Sequence, residues 1–180
     1  MFERYLEEAR RAIFYARMVT MLSGAPKIDS THLLSGVMWE KDFRARTLFG
    51  LQEIFPVYTG RPHLFVESEA LKKVEGPQLT NDSKKILARA AMEADALRDY
   101  WIGTEHLLLG ILAESNCTAA RNLAKANISL ESARGVIREN AATRPKYPDY
   151  YGPPKREGEM PSLWDKMISK WRKWKYRARG

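Results

Sequence analysis

The residues able to do chemistry are few and scattered. There are three histidines, His32, His63 and His106, and one cysteine, Cys117. A structural zinc site needs four Cys or His ligands at short paired spacings, and no such pairs occur. His32 and His106 instead precede identical Leu-Leu pairs, so each ring is expected to fill a helix junction and bond locally. No nucleophile elbow and no Gly-rich phosphate loop is present, so neither acyl transfer nor ATP hydrolysis has its residues. Cys117 opens a predicted helix, where a thiolate can be favoured; the simpler reading is a small, partly buried residue. Most of Glu3, Glu7, Glu8, Glu93, Asp95 and Asp99 read as solvated helix faces, and the sequence identifies no embedded carboxylate pair among them. No catalytic residue, metal ligand or cofactor is assigned.

The strongest chemical pattern lies at the other end of the chain. Pro161-Ser162 can start a helix, with Asp165 as a capping partner. Leu163, Trp164, Met167, Ile168, Trp171 and Trp174 mark one face, and Lys166, Lys170, Lys173 and Arg177 lie on or near the other. Such a helix can dock onto the chain's own body, bind a partner protein, or lie in an anionic membrane interface. Nucleic acid fits less well, because the period is that of an amphipathic helix and not of base-stacking platforms.

These residues must be positioned by a chain of 180 residues with 44% hydrophobic and 29% charged types, a soluble globular composition. No stretch approaches 18 apolar residues, and the opening MFERYLEEARR has no apolar signal core. The single cysteine fits a reducing, cytoplasmic setting. Residues 1–142 hold 19 basic and 18 acidic residues, whereas 143–180 hold 11 and 4, so nearly all of the +8 net charge sits in the tail.

The body reads as two helical repeats with a shared register of 74 residues. Ala16 pairs with Ala90, Met18 with Met92, Ile28 with Ile102, His32-Leu33-Leu34 with His106-Leu107-Leu108, Gly36 with Gly110 and Glu40 with Glu114. The periodicity predicts helices over 3–22, from about 30 or 31 to 39, over 42–50, 81–98, 105–114, 117–125 and 130–141. Asp29, Ser30 or Thr31 can cap the second, and Thr80, Thr104 and Ser129 three of the later ones. Gly36 and Gly110 read as close-approach positions. Neither unit can hide its own apolar faces, so the two are expected to share one core without a β-sheet, burying Leu33, Leu34, Leu107 and Leu108. The domain is placed at 1–141, with repeat units at about 1–50 and 79–141 and a connector at 51–78 whose run His63-Leu64-Phe65-Val66 reads as short and extended. A Pro/Gly/Tyr-rich linker covers 142–161, and the basic Trp-rich helix 162–180.

In this order the motifs resemble the double Clp N-terminal domain found at the front of Clp/Hsp100 unfoldases. The resemblance rests on MFERYLEEARRAI, IGTEHLLLGIL at 102–112, AARNL at 119–123 and ISLESARGVI at 128–137, and covers about residues 1–141. It implies an all-α domain that binds substrates or adaptor proteins and is not itself the ATPase. Without the ATPase rings the sequence is similar to a stand-alone Clp N-domain protein, which implies an accessory or adaptor role beside Clp components. A second reading is a membrane-peripheral scaffold held by the tail helix, at the inner face of a membrane.

Some family members bind phosphoarginine at paired sites through a Glu in each turn. The second turn, Gly103-Thr104-Glu105-His106, matches that pattern; the first reads Asp29-Ser30-Thr31-His32 and lacks the Glu. The resemblance therefore implies that one site is lost and makes Thr104 and Glu105 partner-contact candidates, beside Trp164, Lys166, Met167, Lys170, Trp171, Lys173 and Trp174 of the tail. A carboxylate in a helix's first turn is also favourable with no ligand at all.

Overall fold

The computed structural model describes residues 3–40, 49 and 76–140. Within these, local chemistry accounts for most helix starts. Helix α1 spans Glu7–Leu22, with Glu7 and Glu8 in its first turn and Ala9, Ala12, Ala16 and Thr20 inward. Helix α2 spans Ser30–Trp39 and is capped by Asp29, whose carboxylate accepts the amides of Thr31 and His32. Helix α3, Asn81–Ala96, is capped by Thr80. Helices α4, Thr104–Ala113, and α5, Thr118–Lys125, follow. Helix α6, Leu130–Glu139, starts from Ser129, whose hydroxyl accepts the Ser132 amide. The described residues are thus all-α, apart from two very short strands.

Those strands, β1 (Lys27–Ile28) and β2 (Gln78–Leu79), pair in parallel, and a separate parallel bridge joins Tyr5 to Ile102. Tyr5 and Leu79 are 74 residues apart, as are Ile28 and Ile102. Each repeat's leading segment is therefore completed by the turn of the other repeat. The bonds match as well: Leu6 N–H donates to the Ile102 carbonyl at 3.0 Å, and Thr80 N–H to the Ile28 carbonyl at 2.9 Å.

This exchange corrects the expected start of the first helix. Residues 3–6 are not helical: Glu3 and Arg4 form a turn, and the Ile102 amide, donating to the Arg4 carbonyl at 2.8 Å, holds Tyr5 in the bridge. Tyr5 anchors it, its hydroxyl donating to the Leu87 carbonyl. Burial pushes that phenol up to about 12, against a smaller lowering by Arg4, so it stays a donor. Three helices end earlier than expected: α3 at Ala96, α4 at Ala113 and α6 at Glu139.

Within each repeat the long helix packs on the short one, α1 on α2 and α3 on α4. The glycines permit it. A methyl group on Gly36 would press on the carbonyl of Ala12 and sit 2.5 Å from the Ala16 nitrogen. On Gly110 it would sit 2.5 Å from the Ile86 carbonyl oxygen. Equivalent side chains meet between the repeats: Ala12 and Ile86, Leu33 and Leu107, and Val37 and Ile111 line one small apolar pocket. Leu33, Leu34, Leu107 and Leu108 are all buried, as the shared core requires.

Of the expected helix over 42–50 only Phe49 is described; it is helical and packs half-buried on the core. The run His63–Val66, the linker and the tail helix lie outside the described residues. By contact the chain divides into Met1–Arg144 and Pro145–Gly180. Among the described residues no helix is long and apolar enough to cross a membrane, and no cluster of three metal-ligating side chains occurs.

Candidate protein-interaction turns

The second turn is built around His106. Its Nδ1 accepts the Gly103 amide at 2.9 Å, and its Nε2 faces the Asp99 carboxylate at 3.1 Å. Gly103, not Thr104, is the N-cap, and it has no side chain to satisfy the helix's free amides. A Cβ would run into the Glu105 carboxylate, which folds back over this position.

Thr104 and Glu105 are both buried, Glu105 to 3% exposure. Among the described residues the Thr104 hydroxyl has no hydrogen-bond partner. Its counterpart Ser30 has one, since its oxygen accepts the Ala119 amide of α5 at 3.3 Å. As placed, then, the two turn candidates present little surface.

The first turn departs in its charges. Thr31 occupies the place of Glu105, and its hydroxyl donates to Asp29 at 2.6 Å. Burial pushes the Asp29 carboxyl up, but the Thr31 hydroxyl, the His32 amide and ring, and the Thr31 amide outweigh it and hold it below its usual range. A carboxylate thus remains in this turn, two residues earlier than in the second.

Glu8 of α1 feels the charges of both Glu105 and Glu40, the C-cap of α2. Arg11 binds Glu40 through two bonds of 2.7 and 2.9 Å, and also pairs with Glu7. Glu8 is raised mainly by burial, with further push from Glu105 and Glu40; its own backbone bond and Arg11 oppose this. In the second repeat Arg89 holds Glu114 at 3.0 Å.

Glu93 requires a correction. It is not on a solvated face: it is buried and grips Arg134 of α6 through bonds of 2.9 and 2.7 Å. The signal was available in the spacing, since Ile86, Ala90, Glu93 and Leu97 share one stripe. Cys117 is buried as the N-cap of α5, its sulfur accepting the Ala120 amide at 3.4 Å. The tail candidates Trp164, Lys166, Met167, Lys170, Trp171, Lys173 and Trp174 lie outside the described residues.

The comparison with known families likewise finds a repeat domain, matched twice along the chain. The model of the Clp repeat (R) N-terminal domain matches residues 4–126 and 78–154. The chain belongs to this family. The Clp N-terminal repeat sequence is 26% identical over 137 residues to the ATP-dependent Clp protease ATP-binding subunit ClpC of Staphylococcus saprophyticus, covering 76% of this chain and 17% of that protein. It is 29% identical over 143 residues to the negative regulator of genetic competence ClpC/MecB of Bacillus subtilis, again covering 76% of this chain and 17% of that one. The Clp-N chain thus spans about a sixth of the length of the curated relatives it matches.

Solved structures share the fold. The N-terminal domain of the chaperone ClpD from Arabidopsis thaliana superposes with a TM-score of 0.56 at 16% identity, over 79% of this chain and 97% of that one. The Hsp104 N-terminal domain from Candida albicans gives 0.54 at 14% identity, over 77% and 92%.

Proposed function

We propose that this Clp N-terminal domain protein is a non-catalytic interaction module that binds an adaptor, a protein substrate or a component of the Clp machinery. The observation carrying this reading is the match to the N-terminal repeat domain, the segment that precedes the ATP-binding parts in the resemblance drawn above. Rigid, mutually braced helices lower the ordering cost of binding. Thr104 and Glu105 are the proposed contacts of the body, with the Glu105 carboxylate turning off Gly103 to meet a cationic group. The segment 162–180 is proposed as a second contact, an amphipathic helix using Trp164, Met167, Trp171 and Trp174 with Lys166, Lys170 and Lys173. Two weak contacts on one chain raise the effective affinity when the linker lets both engage. A cytoplasmic setting goes with this reading, and ATP is then consumed only by a separate partner.

The test is a pull-down with the intact chain, with residues 1–142, with Glu105→Gln and with W164A/W171A/W174A, combined with co-sedimentation on anionic vesicles. Specific protein partners retained by 1–142 and weakened by Glu105→Gln support the body site. Partners lost only in the triple variant support the tail. Vesicle binding that falls with salt and disappears in 1–142 moves the tail to a membrane surface instead. No protein partner for any form overturns the reading.

A further inference from the structure

Helix α3 has a second ordered stripe, on the side away from the core. Ile86, Leu87, Ala90 and Ala94 are buried, whereas Lys85, Ala88, Met92 and Asp95 lie on the opposite side and are all exposed. Their spacing of three, four and three residues is that of a seam along which one helix packs on another. On α1 the positions 74 residues earlier are Arg11, Phe14, Met18 and Met21, and none of these is exposed. The same seam is covered in the first repeat and open in the second.

The open seam is complementary to itself. The pair Ala88 and Met92 and the pair Lys85 and Asp95 are both centred on residue 90. A twofold axis level with that residue therefore sets Met92 of one copy on Ala88 of another, and Lys85 on Asp95. An isologous contact repeats each pair, so each long side chain meets a small one and two ion pairs form. The order must be antiparallel, because parallel helices in register set Lys85 on Lys85 and Asp95 on Asp95. Within one copy the ion pair cannot form, since ten residues of helix hold its members about 15 Å apart. Both charges have capacity left. Among the described residues Lys85 meets only Asp82, at 3.8 Å, and Asp95 gives its Oδ1 to Arg4. Beside the seam Ala91 and Ala96 leave room for a neighbouring helix, and Arg89 is held by Glu114.

We infer that α3 is the contact of a weak homodimer, in which two copies of the chain pack this helix antiparallel, Met92 on Ala88 and Lys85 on Asp95 of the other copy. The association is weak because a single helix pair covers less surface than a stable interface needs. It is separate from the binding role proposed above, and its test needs no other protein.

The test is sedimentation equilibrium of the full chain from about 5 to about 500 µM, at about 50 mM salt, where exposed charges are little screened. It compares the unaltered chain, Met92→Lys, Lys85→Glu, Asp95→Lys and an equimolar mixture of the last two. The unaltered chain should form a reversible dimer across this range. Each variant should associate at least about tenfold more weakly, since each charge reversal sets two like-charged pairs together. The mixture should recover, because in a mixed dimer one ion pair is native and the other is reversed at both ends. Asp95→Lys also releases Arg4, whereas Met92→Lys breaks no bond of the fold and tests the seam independently. A chain that stays monomeric throughout overturns the inference, and so does a dimer that survives Met92→Lys, which would form elsewhere. Charge reversals without effect, or a mixture that does not recover, overturn the antiparallel register.

Discussion

Helices α1 and α3 are the same element in the two repeats, and their surroundings differ along the whole length. α1 begins at an apolar N-cap, Leu6, with no side-chain bond, whereas α3 begins at Thr80, which caps it. Met18 on α1 is 6% exposed and its counterpart Met92 is 65% exposed. Both helices end on a left-handed residue, Gly24 at φ 67° after α1 and Arg98 at φ 59° after α3. Each short helix has a buried Glu at its C-cap held by an arginine, but Arg11 stands one turn earlier in its helix than Arg89 does in its own. The backbone plan is thus shared closely, while the side chains that satisfy it are exchanged freely. What a duplicated unit must keep is the position of the polar and apolar groups, and more than one residue can deliver each.

The comparison breaks most sharply in the core. Leu34→Ala and Leu108→Ala should each cost about 2–5 kcal/mol, because both leucines are buried and little surrounds them that can collapse. Urea unfolding of each variant should remain a single transition with a similar loss. A variant that melts one repeat alone, leaving about half the helical signal, would show that the units do not share one core.

Next come the close-approach glycines. Gly36→Ala and Gly110→Ala should each destabilise by about 1–3 kcal/mol, since the new methyl meets backbone and not a yielding side chain. Gly36 should suffer more, because its methyl would lie 2.5 Å from the Ala16 nitrogen, against 2.8 Å from the Ala90 nitrogen at Gly110. Equal losses in thermal melts would place the two helix crossings at the same separation.

The smallest expected effect sharpens the comparison at the left-handed ends. Nothing lies within 4 Å of a Cβ on Gly24, so Gly24→Ala should cost about 1 kcal/mol from backbone conformation alone. Arg98→Gly relieves the same strain but makes the unfolded chain freer, so a net gain of about 0.5 kcal/mol is expected. Opposite signs in the two melting shifts are the outcome to look for.

Much of this was legible residue by residue. The 74-residue register, the inward leucines, the caps Thr80 and Ser129, Asp29 as one of three candidate caps, and the packing role of Gly36 and Gly110 all follow from the sequence. They are local matters: a cap reaches two or three residues, and a buried stripe repeats every three or four. A Thr before an apolar run looked like a cap at 104 as well. There the previous residue, Gly103, took the position, with the Glu105 carboxylate folded back over it.

Tertiary structure decided whatever joins distant residues. Residues 3–6 have helical composition, and Ile102, nearly a hundred residues away, draws Tyr5 into a parallel bridge instead. Glu93 reads as a surface charge until Arg134 arrives from α6 to neutralise it. The unequal settings of His32 and His106 depend on Ser23 and Asp99, residues at different distances along the chain that the same turn brings to the same ring nitrogen. Sequence alone determined which helices form and which faces they bury, because periodicity and capping act over a single turn. Which polar group satisfies which was settled only when the two repeats closed on each other, because burying an unpaired backbone or charged group costs too much to leave the choice open.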